Sequence, residues 1–149
     1  MVNKLIVSKM FIGKYYHALE ENNRISLPKK FREIETDWVV TRGLDGGLFL
    51  FRATNFEQEL KQLSQRTFTK KAHRDFIRLM TNEAQEVVAD ANGRVSLPEY
   101  LIKFAKLKKD LVIVGSYERI EIWNRDSYHQ YLTQIEAQAE EIAERLNDE

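Results

Sequence analysis

The sequence predicts an α+β fold in which two tandem repeats interlock their hairpins about a pseudo-twofold axis, with further helices at the periphery. Three observations predict it. The stretch Asp90-Ala91-Asn92-Gly93-Arg94-Val95-Ser96-Leu97-Pro98 is echoed 70 positions earlier by Glu20-Glu21-Asn22-Asn23-Arg24-Ile25-Ser26-Leu27-Pro28. Each copy is followed by two apolar, β-prone runs around turn residues. The segments after those runs carry apolar residues at helical spacing. A unit of three or four short strands and a helix has too little core to stand alone, so two units must share one.

The elements follow in order. Residues 1–9 read as an N-terminal leader, whose apolar run Leu5-Ile6-Val7 is too short for a signal peptide. The first repeat and its linker occupy 10–81. Phe11–Ala18 reads as a strand, Glu20–Arg24 as a loop and Ile25–Leu27 as a second strand. A short helix starts at Pro28 and carries Lys29, Lys30 and Arg32. Trp38–Thr41 and Leu48–Phe51 form a hairpin around Gly43-Leu44-Asp45-Gly46-Gly47. Asn55, with Gln58 three residues on, is expected to cap a helix whose apolar face is Phe56, Leu60 and Leu63. Residues 66–81 read as a second helix and linker. Arg66, Lys70, Arg74 and Arg78 recur there every fourth residue, as a phosphate-tracking stripe or a solvated face.

The second repeat, 82–149, runs in the same order. Glu86–Ala89 is strand-like, then come the Asp90–Arg94 loop, strand Val95–Leu97 and helix Pro98–Lys106. Leu111–Val114 and Arg119–Trp123 form the second hairpin around Gly115-Ser116-Tyr117-Glu118. Asn124 or Asp126 can cap a final helix. Its seam of Tyr128, Leu132, Ile135, Ala139, Ile142 and Leu146 either packs on the domain or meets another subunit.

The repeated loops carry the chemistry. Asp90 can bond its own downstream backbone and start a tight turn. Gly93 accepts positive φ without a steric penalty, and Asn23 is the next-best residue for that conformation. The strand that follows alternates out and in, so Arg24 and Arg94 point outward at loop-to-strand junctions. In each copy the acid is expected beside its own arginine, which keeps it ionised and makes it a poor proton donor.

Composition narrows the function. With 43% hydrophobic and 31% charged residues the chain reads as a folded soluble protein. No run approaches the roughly 18 apolar residues of a spanning helix. The absence of cysteine suits a reducing cytosol. Net charge is zero, but residues 1–81 carry 15 Lys/Arg against 9 Asp/Glu, and residues 82–149 carry 8 against 14. A segregated charge can still present a basic face to phosphate. His17, His73 and His129 lack partners at metal-ligand spacing, and Ser26 and Ser96 lack a nucleophile elbow. No phosphate-binding loop or dinucleotide fingerprint is present. The expectation is therefore no catalytic residue, no metal, no cofactor and no small-molecule substrate.

The doubled acid-x-x-x-Arg motif, together with Met10-Phe11-Ile12-Gly13, Arg32-Glu33, Thr41-Arg42-Gly43-Leu44-Asp45, Val114-Gly115 and Glu121-Ile122-Trp123, resembles the MraZ family of bacterial transcription regulators. That family is related in fold to the AbrB-like swapped-hairpin DNA-binding proteins. The resemblance covers nearly the whole chain. The first copy departs from it, with Glu20 for the usual Asp and Asn23 for the usual Gly.

The resemblance implies two AbrB-like swapped-hairpin halves and double-stranded DNA as partner. Arg24 and Arg94 would contact it, with Lys14, Asn22, Asn92, Lys29 and Lys30. Glu20, Asp90, Asn23 and Gly93 would hold the loops. It further implies a ring-shaped homo-oligomer, an octamer or larger, on tandem promoter repeats upstream of the division and cell-wall gene cluster. The protein would be cytoplasmic and nucleoid-associated, not in a membrane. Arginine suits the role, since its planar fork matches phosphate and the O6/N7 edge of guanine. The other reading is a protein-interaction module in which the Asp/Glu–Arg pairs merely lock loops.

Overall fold

Strands of one repeat complete the sheet of the other. The computed structural model describes residues 10–67 and 69–147, and of residues 63–67 the backbone alone. The expected leader 1–9 and the side chains of Leu63 and Arg66 lie outside the described residues. The first half contains β1 (Phe11–Ala18), β2 (Arg24–Ser26), α1 (Lys29–Arg32), β3 (Asp37–Arg42), β4 (Leu48–Arg52), α2 (Ala53–Thr67) and α3 (Lys71–Asn82). The second contains β5 (Gln85–Val88), β6 (Arg94–Ser96), α4 (Glu99–Phe104), β7 (Asp110–Tyr117), β8 (Arg119–Asn124), α5 (Arg125–Ala137) and α6 (Ala139–Arg145).

The larger sheet has the order β1-β7-β8-β4-β3-β5, antiparallel throughout. β1 pairs with β7 of the other repeat, from Phe11 opposite Tyr117 to Ala18 opposite Asp110. β5 pairs with β3 in the reciprocal way, Asp37 opposite Val88. The two hairpins meet at the centre, where Leu48 faces Ile122 and Leu50 faces Ile120. β2 and β6 form a separate two-stranded ribbon. This is the swapped-hairpin, two-repeat α+β architecture.

Alternation along each strand sorts the faces. Trp38, Leu50, Ile113 and Ile120 point inward and meet Ile25 and Val95 of the ribbon, Phe31 of α1 and Leu101 of α4. The Phe11 and Phe31 rings meet edge-on at 5.2 Å within this core. Burying each such side chain contributes about 1.5–3 kcal/mol. On the outer face, Phe56 of α2 with Phe76 and Met80 of α3 covers Phe49 and Phe51 of β4. α5 covers Val112, Val114 and Trp123 with Tyr128 and Tyr131. No helix among the described residues is long and apolar enough to cross a membrane.

Several local expectations are corrected. Pro28 and Pro98 precede their helices, with extended ψ of 143° and 142°, and their carbonyls accept from Phe31 and Leu101 N–H. α4 stops at Phe104, and the chain turns out through Lys106 at φ 55°. The second hairpin closes at Tyr117-Glu118, because Tyr117 adopts φ 69° and both strands run longer. Asn55 is not a cap: α2 already begins at Ala53, and Asn55 instead accepts from Arg52 NH2 at 3.0 Å and donates to Glu118 O at 3.3 Å. Asn124 does cap α5, accepting from Ser127 N–H at 3.1 Å.

The final helix is broken at Gln138, with φ −112° and ψ 12°. Tyr128, Leu132 and Ile135 are half-buried against the sheet side, whereas Ala139, Ile142 and Leu146 beyond the break are exposed. The even basic row is interrupted as well. Lys70 is extended and precedes α3, Arg74 NH1 donates to Thr69 O at 2.7 Å, and Arg78 NH1 pairs with Asp75 at 2.9 Å.

Candidate nucleic-acid interface

The ribbon is built from three-residue strands, which is enough because its inner side is anchored. Ile25 and Val95 lie opposite each other and are fully buried. Arg24, Ser26, Arg94 and Ser96 therefore face away from the core. The register sets Arg24 opposite Ser96 and Ser26 opposite Arg94, so the two arginines stand at diagonal corners of one outward surface. The strand ends are fastened across the repeats. Leu27 N–H donates to Gly93 O at 3.0 Å, and Leu97 N–H donates to Asn23 O at 2.9 Å. Each loop is also closed on itself, by Asp90 N–H to Arg94 O at 2.9 Å and Glu20 N–H to Arg24 O at 2.8 Å.

The second loop is a tight, carboxylate-centred turn. Asp90 Oδ1 accepts from Asn92 N–H at 2.9 Å and Arg94 N–H at 3.0 Å. Oδ2 accepts from Arg94 Nε at 3.0 Å. The Arg94 N–H, with help from the Asn92 N–H and the guanidinium, holds the Asp90 carboxyl below its ordinary value against the opposing effect of desolvation. Gly93 sits at φ +76° before the arginine and is buried. Arg32 of α1 reaches over it and donates from NH1 to Asn92 O at 2.7 Å.

The first loop differs. Asn22 and Asn23 both adopt left-handed φ, 61° and 57°, inside a short 3-10 turn over Glu21–Asn23. The expectation that Glu20 lies beside Arg24 is corrected. Glutamate is one methylene too long to fold back as Asp90 does. Its Oε2 accepts from Ser26 Oγ at 2.7 Å, and its Oε1 lies 3.8 Å from Arg94 NH1. Arg24 Nε donates instead to the Glu21 carbonyl at 3.5 Å.

The other expected contact residues fall in two places. Asn22 and Asn92 are exposed in the two loops, and Lys29 and Lys30 are exposed at the start of α1, directly after β2. Lys14 stands apart. On β1 it alternates with the inward Phe11 and Tyr15 and pairs with Val114, so it faces the outer side, in the groove beneath α5. His17 is half-buried on the same strand. Burial holds its imidazole below the ordinary value, and Glu20 opposes that shift.

Arg32 is the contact that sequence reasoning placed only on a helix. A signal was present. In the second repeat the matching position is Ile102, so a charged residue stands where its counterpart is apolar.

Comparison with known proteins places the chain. The family described as "MraZ protein, putative antitoxin-like" matches twice in tandem, over residues 10–79 and 80–149. A transcriptional regulator MraZ of Pediococcus pentosaceus is 37% identical over 140 residues, which cover 93% of this chain and 98% of that protein. A transcriptional regulator MraZ of Lactiplantibacillus plantarum is 39% identical over 140 residues, covering 93% and 99%.

Proposed function

The chain belongs to the MraZ family, and on that premise we propose that it is a non-enzymatic, DNA-binding transcriptional regulator of the cytoplasm and nucleoid. The observation that carries the reading is the ribbon. The swap brings the two motif arginines, 70 residues apart, onto one outward surface, and the exposed Lys29 and Lys30 follow β2 directly in the chain. A two-stranded ribbon fits the major groove of B-DNA, and a guanidinium there can take guanine O6 and N7 in a bidentate contact. Lysines at the rim add phosphate contacts that position the ribbon. The family names of the relatives support the same reading.

The finer proposal concerns the operator and the assembly. A neutral chain with one small basic surface binds a single short DNA site weakly, because each phosphate contact is screened by salt. A closed ring of eight or more subunits would repeat that surface at fixed spacing. Binding of later sites is then effectively intramolecular, which raises affinity by about 10²–10⁴. The operator is accordingly a set of tandem repeats in helical phase, and the family resemblance implies that they lie in the promoter upstream of the division and cell-wall gene cluster. One observation favours the competing loop-locking role: Arg94 is engaged with Asp90 and Glu20 inside the chain.

Fluorescence anisotropy on one, two and three repeats, and on two repeats offset by about half a helical turn, tests the proposal together with light scattering. Tight binding only to in-phase tandem repeats, by a ring-sized particle, is the expected result. Equal affinity for all four DNAs, or a monomer by scattering, contradicts it.

A further inference from the structure

Arg32 leaves the first repeat and closes on the second. From α1 its NH1 donates to Asn92 O at 2.7 Å. Its stem lies over Gly93, where an added Cβ would collide with Arg32 Cδ and stand 2.9 Å from NH1. Gly93 is buried, holds φ +76°, and offers its carbonyl to Leu27 N–H at 3.0 Å. Arg32 thus grips the two residues that set the direction of Arg94. Because its donor is charged, this bond is about twice as strong as a neutral one.

Among the described residues the first loop has no such grip. The offset that maps Arg24 onto Arg94 and Pro28 onto Pro98 maps Arg32 onto Ile102. Ile102 packs against the core and has no donor to give the Asn22 carbonyl. Lys29 and Lys30 map onto Glu99 and Tyr100, so the charge beside the ribbon is one-sided too.

The geometry points to Arg32 as a positioning residue that makes the two loops inequivalent readers, with Arg94 preset and Arg24 adaptable. In its DNA arm this rests on the regulator reading above. A preset side chain loses less freedom on binding, so its contact discriminates more sharply. The ribbon therefore reads an asymmetric DNA segment. Arg94 supplies most of the base discrimination, and Arg24 with its neighbouring lysines supplies salt-dependent affinity.

The test compares Arg32→Ile, which copies the second repeat, with Arg32→Lys, which keeps the charge and the stem. Amide hydrogen exchange is read first, without DNA. In Arg32→Ile the Gly93 and Leu27 N–H groups should exchange faster, on the order of tenfold for one lost hydrogen bond to a charged group. Leu97 N–H, which matches Leu27, and Glu20 N–H, which closes the first loop, should not change, and Arg32→Lys should fall between. On promoter DNA, Arg32→Ile should weaken specific binding. That loss should nearly vanish in an Arg94→Ala background and persist in Arg24→Ala. Unchanged exchange, equal acceleration in both loops, or a loss fully additive with Arg94→Ala overturns the inference. If Arg94→Ala binds DNA like the wild type, the reader role is overturned, and the exchange contrast then judges the loop grip alone.

Discussion

Glu20 Oε1 lies 3.8 Å from Arg94 NH1, across the pseudo-twofold axis, and no ion pair links Glu20 to Arg24 among the described residues. Arg94 therefore stands between two carboxylates, Asp90 and Glu20, whereas Arg24 Nε meets a neutral carbonyl. These groups are about one-third exposed, and such pairs contribute only about 0–1 kcal/mol. A guanidinium held that lightly can exchange carboxylate for phosphate or guanine. Its direction is set by the loop backbone more than by the pair itself.

Glu20→Gln isolates the cross-repeat contact. The melting temperature should change little, in line with a weak exposed pair. The Nε–H signal of Arg94 in NMR should shift and exchange faster, while that of Arg24 stays in place. A change at Arg24 and none at Arg94 contradicts the crossed pairing.

Gly93→Val and Asn23→Gly separate the two loop backbones. A β-branched residue at φ +76° costs on the order of 1–3 kcal/mol of strain, and it must also displace Arg32. Asn23 already holds φ 57°, so glycine there should be tolerated. Denaturant titration of both variants checks the pair. Equal stability of Gly93→Val and wild type would show that the loop is built otherwise.

Each half alone should fail to form a stable monomer. β1 finds its partner in β7 and β5 finds its partner in β3, so a separated half leaves an unpaired hairpin edge and half a core. Residues 10–81 and 82–149, expressed separately, should be unfolded or dimeric by size-exclusion chromatography and circular dichroism. A stable monomeric half contradicts the swap as the source of stability.

Stability should fall in two steps as pH drops. Burial holds His17 below its ordinary value, so its contribution is present above about 6.5 and is lost as pH falls through the lower folded-state value. Asp90 is also depressed, by the Arg94 N–H first, so its contribution persists until pH falls below about 3.9. Chemical denaturation across pH 3–8 should show the first step in wild type and not in His17→Gln. Retention of that step in the variant would assign it to another group.

Much of the fold was legible because it rests on local pattern. The paired motifs, the out-and-in alternation of Arg24-Ile25-Ser26-Leu27, and the turn residues before each arginine specify the short strands and the hairpins without tertiary knowledge, whereas the pairing of β2 with β6 across the repeats does not follow from local pattern. The remainder depends on what lies across the axis. Glu20 turns to Ser26 and Arg94 because its longer side chain cannot close its own turn. Asn55 is drawn to Arg52, three residues before it, and to Glu118 of the other repeat, so a capping signal is overridden in part by a neighbour distant in sequence. The seam through Tyr128 and Leu146 is periodic throughout, yet the sheet supports only its first part, and the helix breaks at Gln138. The resemblance groups Lys14 with the loop residues, and strand alternation carries it to the opposite face.

The most direct test of the account is titration of wild type, Arg24→Ala and Arg94→Ala with promoter DNA and with a scrambled duplex, at two salt concentrations, alongside thermal melting. A well-placed bidentate arginine discriminates by roughly 1–3 kcal/mol. Both variants should melt near wild type and lose specific affinity by that amount, with the scrambled duplex affected much less. Unchanged affinity for promoter DNA in both folded variants would contradict the ribbon as the DNA-reading surface.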